Sequence, residues 1–432
     1  MDNSNQDRDF APEVYPRSKH CVSRKNIDPD ALKILWRLIR NGHKAYLVGG
    51  GVRDLLLQKK PKDFDIATDA TPRQIKALFR NCRIIGRRFK LAHIFFGGNK
   101  IIEVSTFRAK VDFNDADAPT SPEDMLITRD NTYGNEVTDA LRRDLTINAL
   151  FYDLSTFSII DYVGGMRDLQ LGVARIIGDP LNRFGEDPVR MLRLVRYAIK
   201  SGLQIEPVCQ SALRQMNALI VKSASARLYE ELKKDFCSGY AKPILRAYAE
   251  YNLLDHLIPE ISASSCSILA EKSDLALALG VADELSTEGS ENVFTAVLCL
   301  LALFGDTGTV LQPDLIARFD SIPMLHSFID QTFRKIPIPR KEREKIETIL
   351  EFWFELEKNP LERVRRARMV HSSVFDDLVN LIHCLNFDGT KSAKLAFLKE
   401  GPEKFPGRHR ERTAVRRKDH RRGPGRLQRG AH

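Results

Sequence analysis

No two cysteines in the chain are spaced for a bridge or a metal. The seven that occur among 432 residues (Cys21, Cys82, Cys209, Cys237, Cys266, Cys299 and Cys384) are scattered, odd in number and without a CxxC pair, which argues against a disulfide framework and against a zinc site. A reducing cytoplasm is the expected setting. Long apolar runs are missing too. The longest, Val293 to Phe304 with Thr295 inside it, falls short of the roughly 20 residues a membrane span needs, so a buried helix is expected and a membrane partner is not. The opening MDNSNQDRDF has no apolar core of the kind a secretory signal carries. There is no P-loop and no Ser-His-Asp elbow. Asp255-His256 reverses the His-Asp order of metal phosphohydrolases, and Leu253, Leu254 and Leu257 around it mark a helix end packed into the core.

What is present describes a folded, multidomain chain: 43% hydrophobic and 29% charged residues, and a length sufficient for two to four domains. The net charge of +10 is unevenly placed. From Lys404 to His432 there are eleven Lys and Arg against Glu411 and Asp419, so this end carries a net +9 and the body is nearly neutral. Beyond Gly401 the sequence is Arg, Gly and Pro with hardly any apolar residue, which cannot bury enough surface to fold alone.

Five stretches are expected. Residues 1–26 are polar and mixed and read as an arm whose last part lies on the first domain. Residues 27–165 read as a mixed α/β domain. Asp28 and Pro29 cap and start a helix that Gly42 stops; Ala45–Val48 is a strand, and a glycine turn leads into a helix over Val52–Leu57. Thr71-Pro72 opens a helix to about Phe79, strands follow at Arg83–Ile85, Leu91–Phe96 and Ile101–Ser105, and further strands at Leu145–Tyr152 and Ser158–Tyr162. Asp112–Gly134 lacks periodicity and reads as a long mobile loop. From Met166 strand signals fade. Residues 166–235 and 236–400 read as all-helical, with helices at Pro188–Ser201, Ala226–Cys237, Ile244–Leu254, Val293–Phe304 and Arg340–Lys358, and 401–432 as a disordered basic tail.

The chemistry concentrates in Val48–Ala67, VGGGVRDLLLQKKPKDFDIA. Backbone N–H groups exposed by Gly49, Gly50 and Gly51 at a helix start can receive a triphosphate, and Asp63 and Asp65, alternating with Phe64 and Ile66, project from one face of a strand as hard oxygen ligands for Mg²⁺. Glu103 adds a third acid from a later strand. Such a cluster holds two Mg²⁺ ions across an in-line displacement at an α-phosphate. The structural alternative, in which Asp63 and Asp65 cap a loop and pair with Lys60 and Lys62, does not account for the glycine turn in the same stretch.

In order, LVGGGVRD, DFDIATDATP, IIEVSTFR, RRDLTINAL and GEDPVRMLRLVRYA resemble the polymerase beta-type nucleotidyltransferases of the bacterial class that includes tRNA CCA-adding enzymes and poly(A) polymerases, with coverage from about Ser23 to Leu203. The resemblance implies a polymerase beta-like α+β catalytic head followed by an all-α neck and body. It also implies template-independent addition of nucleotides to RNA 3′ ends with Mg²⁺ and release of pyrophosphate. It assigns Gly50 and Arg53 to the triphosphate, Asp63 and Asp65 to the metals and Arg143 to the nucleotide. The third catalytic acid stays open between Glu103 and Asp144. By geometry Glu103 belongs on the sheet with the aspartate pair, and Asp144 is expected to organise Arg53 or Arg143.

Glu186–Arg190 matches the base-reading motif of that class. Asp187 and Arg190, three apart on an expected helix, would offer an acceptor beside a donor fork to a base edge, and Arg193 and Arg196 would continue that face towards phosphates. The plain reading of the same residues is a basic helix face in water. Arg80–His93, RNCRIIGRRFKLAH, resembles the characteristic segment of poly(A) polymerases, as do Ile336–Arg340 and the Arg-rich end. Arg87, Arg88 and Lys90 there, and Arg416, Arg417, Lys418, Arg421 and Arg422 in the tail, are the expected sequence-independent RNA contacts. The expected reaction is thus transfer of AMP from ATP to RNA 3′ ends. CCA addition to tRNA and an inactive RNA-binding module are the alternatives, the second opposed by intact Asp63, Asp65, Arg53 and Arg143.

Overall fold

The computed structural model describes residues 11–86, 90–98, 100–109, 132–259, 270, 273–287, 293–304, 319–334, 338–358, 368–386, 389 and 396. Arg87, Arg88, the loop residues 112–131 and the whole basic tail, including Arg416, Arg417, Lys418, Arg421 and Arg422, lie outside this set.

Helix α1 (Pro29–Arg40) begins as its sequence requires. Asp28 Oδ1 accepts from the backbone N–H groups of Asp30 and Ala31 at 2.8 and 3.4 Å, and Ala31, Ile34, Leu35 and Leu38 are buried on one face. It packs on an eight-stranded sheet of order β1-β8-β7-β2-β3-β6-β5-β4, where β1 is Glu13–Tyr15, β2 Ala45–Val48, β3 Asp65–Thr68, β4 Cys82–Ile85, β5 Leu91–Phe95, β6 Ile101–Thr106, β7 Leu150–Asp153 and β8 Ser158–Asp161. Neighbours are antiparallel except β3 and β6, which run parallel with Ile66 opposite Val104. Three residues of the polar arm, Glu13–Tyr15, thus form an edge strand paired with β8. Helix α2 (Gly50–Leu56) leaves the end of β2, and α3 (Pro72–Leu78) opens with a Thr71–Gln74 capping box.

The uninterrupted strand expected over Leu145–Tyr152 is not formed. Leu145 makes an isolated bridge to Ile176, Thr146–Asn148 is a 3₁₀ turn, and β7 starts at Leu150. The reason is that the run serves two cores. Leu145 and Ile147 are buried among the helices that follow, whereas Leu150 and Tyr152 are buried against the sheet, and the turn steps from one to the other. Helix α4 (Glu136–Arg142) precedes β7, and after α5 (Gly165–Leu171) the regular elements among the described residues are helical apart from a two-residue parallel pair, Val173–Ala174 with Gln204–Ile205.

The helices that bear on the site are α6 (Pro180–Glu186), α7 (Val189–Ser201), α8 (Pro207–Met216) and α9 (Ser225–Phe236). Helices Ala241–Glu250, Asp274–Thr287, Val293–Phe304, Ile322–Thr332, Arg340–Lys358 and Phe375–Cys384 complete one apolar core. The helix expected over Ile244–Leu254 ends at Glu250, because Asn252 adopts φ +58° before a short turn of helix at Leu254–Leu257. Every residue of Val293–Phe304 is buried. Among the described residues no helix is long and apolar enough to cross a membrane.

Candidate active site

Register builds the site. Val48 at the end of β2 lies opposite Asp65 at the start of β3, and the chain then turns at Gly49 with φ +73°, a conformation glycine adopts without penalty. A Cβ placed on Gly49 would lie 3.5 Å from Asp65 Oδ2 and 3.5 Å from Arg143 Nη1, so one bare backbone position faces both an acid and a cation. At Gly51 a Cβ would stand 3.1 Å from the Asp63 carbonyl, which lets the chain leading into β3 pass close to the turn.

Asp63 is exposed and lies two residues ahead of the first residue of β3, so the expected pair of carboxylates on one strand becomes one on the strand and one at its entrance. Ile66 and Val104, opposite each other, point into the core, and Asp65 and Glu103 one residue earlier share the other face. Burial first, then the Glu103 and Asp63 charges, push the Asp65 carboxyl up to about 6 against the opposing pull of Arg143. Glu103 is further supported by His93, directly across on β5, with Nε2 and Oε1 3.3 Å apart. Among the described residues no three His, Cys, Asp or Glu side chains converge as a ready-made metal cage.

Two arginines flank the turn. Arg143 stacks over Phe151, its guanidinium carbon 5.4 Å from the ring centre, and donates from Nε and Nη2 to Asp139 Oδ2 at 3.1 and 2.8 Å. Asp139, 1% exposed, also takes Arg142 and the Arg108 backbone N–H. Arg53 is 4% exposed and curls back under its own helix. It donates to Asp54 Oδ1 from Nε and Nη2 and to Asn148 Oδ1 from Nη1, and it lies over the Tyr197 ring. It therefore contributes a fixed positive charge behind the turn.

Asp144 does not organise Arg53 or Arg143. Its Oδ1 accepts from Arg190 Nε at 2.9 Å and its Oδ2 lies 2.9 Å from Arg193 Nη2, both on α7. Burial alone would raise the Asp144 carboxyl, but Arg193 and Arg190 hold it below the usual range. Geometry thus joins Glu103 to Asp65 and assigns Asp144 to the joint between sheet and helices. The same joint is tied by Arg183, whose Nη2 donates to the carbonyls of Arg142 and Arg143.

The expectation that Asp187 and Arg190 share a helical face is overturned. Asp187 is the extended residue after α6, at φ −155° and ψ 90°, and α7 begins at Val189. Pro188 is the cause, because its ring crowds the helical conformation of the preceding residue. Asp187 accepts from Arg227 Nη2 of α9 at 2.7 Å, and Arg190 donates to Asp144, to the Arg183 carbonyl and to Glu186 Oε2. Arg193 keeps 31% of its side chain exposed at the site. Arg196 does not reach towards phosphates. It is buried, paired with Glu231 and with Asp235 Oδ1 at 2.6 Å, and Tyr248 donates to the same aspartate. The signal was legible, since Leu228, Glu231, Leu232, Asp235 and Phe236 recur at helical spacing and place two acids on the inward face of α9. Lys90 is exposed beside β5.

Three of the buried carboxylates contribute an acid-sensitive part of the fold's stability. Burial opposes ionisation of Asp144, Asp139 and Glu231, but their arginine partners hold all three below their ordinary range, so the stability they contribute is present above that range and is lost as pH falls below it through the lowered folded values. Thermal unfolding followed from pH 7 down to pH 3 is expected to show a falling melting temperature below about pH 4. In Asp144→Asn that slope is shallower and the neutral-pH value lower.

The model of the poly A polymerase head domain matches residues 45–175, and that of a probable RNA and SrmB-binding site of polymerase A matches residues 202–264. Poly(A) polymerase I of Salmonella typhi is 40% identical over 340 residues, covering 76% of this chain and 72% of that protein. The chain belongs to the tRNA nucleotidyltransferase and poly(A) polymerase family. Poly(A) polymerase I of Escherichia coli O157:H7 is 49% identical over 251 residues, covering 58% of this chain and 54% of that protein, so the match spans about half the length of that relative. The CCA-adding enzyme of Bacillus subtilis is more distant, at 32% over 227 residues. Among solved structures, an apo CCA-adding enzyme superposes with a TM-score of 0.59 at 21% identity over 91% of this chain and 89% of its own, which establishes a shared fold. A tRNA nucleotidyltransferase complexed with a primer tRNA and an incoming ATP analogue superposes with a TM-score of 0.53 over 84% of this chain and 96% of its own.

Proposed function

We propose that the chain is a poly(A) polymerase, a template-independent nucleotidyltransferase that transfers AMP from ATP to RNA 3′ ends, of messenger and other transcripts, in the cytoplasm. The observation that carries the reading is the convergence of Asp65 Oδ2 and Arg143 Nη1 on bare Gly49, with Glu103 on the same face of the sheet. The greater identity to poly(A) polymerases than to CCA-adding enzymes supports the choice of product.

The donor set fits divalent cations. Asp63, Asp65 and Glu103 are hard oxygen donors, and burial together with the neighbouring Glu103 and Asp63 charges raises the Asp65 carboxyl. Asp63 and Asp65 would hold two Mg²⁺ ions, with Glu103 in support, and the ions would lower the pKa of the attacking hydroxyl and neutralise charge on the phosphates. The chain's own groups do the rest. The backbone of the Gly49–Gly51 turn leaves room for the triphosphate, Arg143 meets it with a fork oriented by Asp139, and Arg53 supplies positive potential from behind. The RNA 3′ oxygen then attacks the α-phosphorus, the bond to the bridging oxygen breaks, and pyrophosphate leaves. Asp187, Arg190 and Arg193 border the base, and Lys90, Arg87, Arg88 and the basic tail hold the RNA backbone without regard to sequence.

One assay decides among the products. Purified protein, Mg²⁺ and labelled RNA are offered ATP, CTP or both together, on an oligo(A) primer and on a tRNA lacking its terminal CCA. A long ladder with ATP alone is expected. Extension of the tRNA that needs both nucleotides and stops after CCA overturns the proposal in favour of CCA addition, and no incorporation on either RNA indicates an inactive RNA-binding module.

A further inference from the structure

Arg53 and Arg143 come from different elements, one rising from α2 after the glycine turn and the other ending α4, yet both close on a single residue. Asn148 accepts Arg53 Nη1 on its side-chain Oδ1 at 2.6 Å and Arg143 Nη1 on its main-chain oxygen at 3.3 Å. The remaining contacts of each arginine are private: Asp54 and Tyr197 for Arg53, Asp139 and Phe151 for Arg143. Among the described residues Asn148 alone accepts a hydrogen bond from both.

The turn that carries Asn148 is held from below. Thr146 Oγ1 donates to buried Asp168 Oδ2 at 2.6 Å, and the Thr146 backbone N–H donates to the Arg175 carbonyl at 3.1 Å. Gly165 at the start of α5 packs so closely that a Cβ there would stand 2.3 Å from the Thr146 carbonyl oxygen. A turn fixed on one side by α5 and occupied on the other by two guanidinium groups is a spacer of set length.

We propose that Asn148 is a positioning residue for triphosphate binding, setting Arg53 and Arg143 at a fixed separation beside Gly49 and Gly50 so that both positive charges act on the incoming nucleotide. The inference rests on the nucleotidyltransferase reading. The amide is chemically apt. It offers Arg53 an acceptor without a charge, whereas a carboxylate in its place accepts equally well but cancels one of the two positive charges, and a methyl group leaves Arg53 Nη1 without that acceptor. Gly50 lies on the other side of the same guanidinium, a Cβ there being 3.4 Å from Arg53 Nη2, so a shift of Arg53 is felt directly by the turn.

The test compares Asn148→Asp, Asn148→Ala and Asn148→Ser with the parent chain. AMP incorporation is measured over a range of ATP concentrations, ATP binding by calorimetry and melting temperature in parallel. Asn148→Asp is expected to raise the KM and the Kd for ATP by about tenfold or more with kcat changed much less, as loss of uniform binding requires. Asn148→Ala gives a smaller rise, and Asn148→Ser, which restores a neutral acceptor, recovers part of it. A merely structural residue would move the melting temperature and leave KM alone. An unchanged ATP Kd in a folded Asn148→Asp protein overturns the proposal. If that variant does not fold, an unchanged Kd in Asn148→Ala does so. An active parent with unaltered variants leaves the polymerase reading standing and removes the role of Asn148. A parent that binds ATP but incorporates no AMP fails the polymerase reading, and the binding data still decide on Asn148.

Discussion

Asp65→Asn is expected to lower AMP incorporation by about a thousandfold or more, the scale seen when a charge-stabilising group is removed from a polar transition state. The substitution keeps the size and shape of the side chain and removes only its charge and its capacity to bind a hard cation. Asp65 is the carboxylate around which the others gather, with Glu103 on the neighbouring strand, Asp63 at the strand entrance and Arg143 Nη1 across the bare Gly49 position. Because the strand pairing of β2 and β3 uses main-chain atoms, the melting temperature should stay within a few degrees of the parent. Incorporation assayed with saturating ATP and primer, alongside thermal unfolding, checks both halves. A variant that keeps a tenth of the parent rate sinks the metal assignment.

Arg196→Ala has the opposite profile, a large loss of stability, about 3–5 kcal/mol, that does not come from the site. The guanidinium is buried with Glu231 and Asp235, which are 6% and 0% exposed, and Tyr248 completes the cluster. Removing the cation leaves two buried acids without their arginine, with only Lys234, 3.3 Å from Glu231 Oε1, and the Tyr248 hydroxyl on Asp235 left as partners among the contacts described. Urea unfolding of the full chain should register the loss as an earlier midpoint. Replacing Arg196, Glu231 and Asp235 together by Met, Leu and Leu should recover much of it, since an apolar cluster of similar volume needs no compensating charge. A loss below about 1 kcal/mol for Arg196→Ala would instead mark an exposed, solvent-screened arginine of the sort first expected to approach phosphates.

The local elements were legible because their signals are local. Asp28-Pro29, Thr71-Pro72 and the alternation in Leu91–Phe96 and Ile101–Ser105 act within a few residues, and the structure forms each to within one residue of where the pattern places it. The glycine turn and the aspartates were legible for a related reason, since their residue types suit few other tasks. What misled was periodicity carried across a break. Counting three from Asp187 to Arg190 assumes one helix, and Pro188 divides it. The apolar run from Leu145 reads as one strand because nothing in it says that Leu145 and Leu150 belong to different cores.

The sequence by itself determined that the chain presents a glycine turn and acidic strands ahead of a helical region, and that its residues are those of a family that transfers nucleotides. Only the tertiary structure decided how the charges pair. An arginine in a sequence has one charge and many possible partners, and the choice depends on which acids lie within hydrogen-bond distance after folding and how far water is excluded from them. That is why Arg193 meets Asp144 at the edge of the site while Arg196, one helical turn further on, is sealed into the core against Glu231 and Asp235. It is also why Asn148, a residue with no charge to attract notice, emerged only once two distant arginines were seen to close on it.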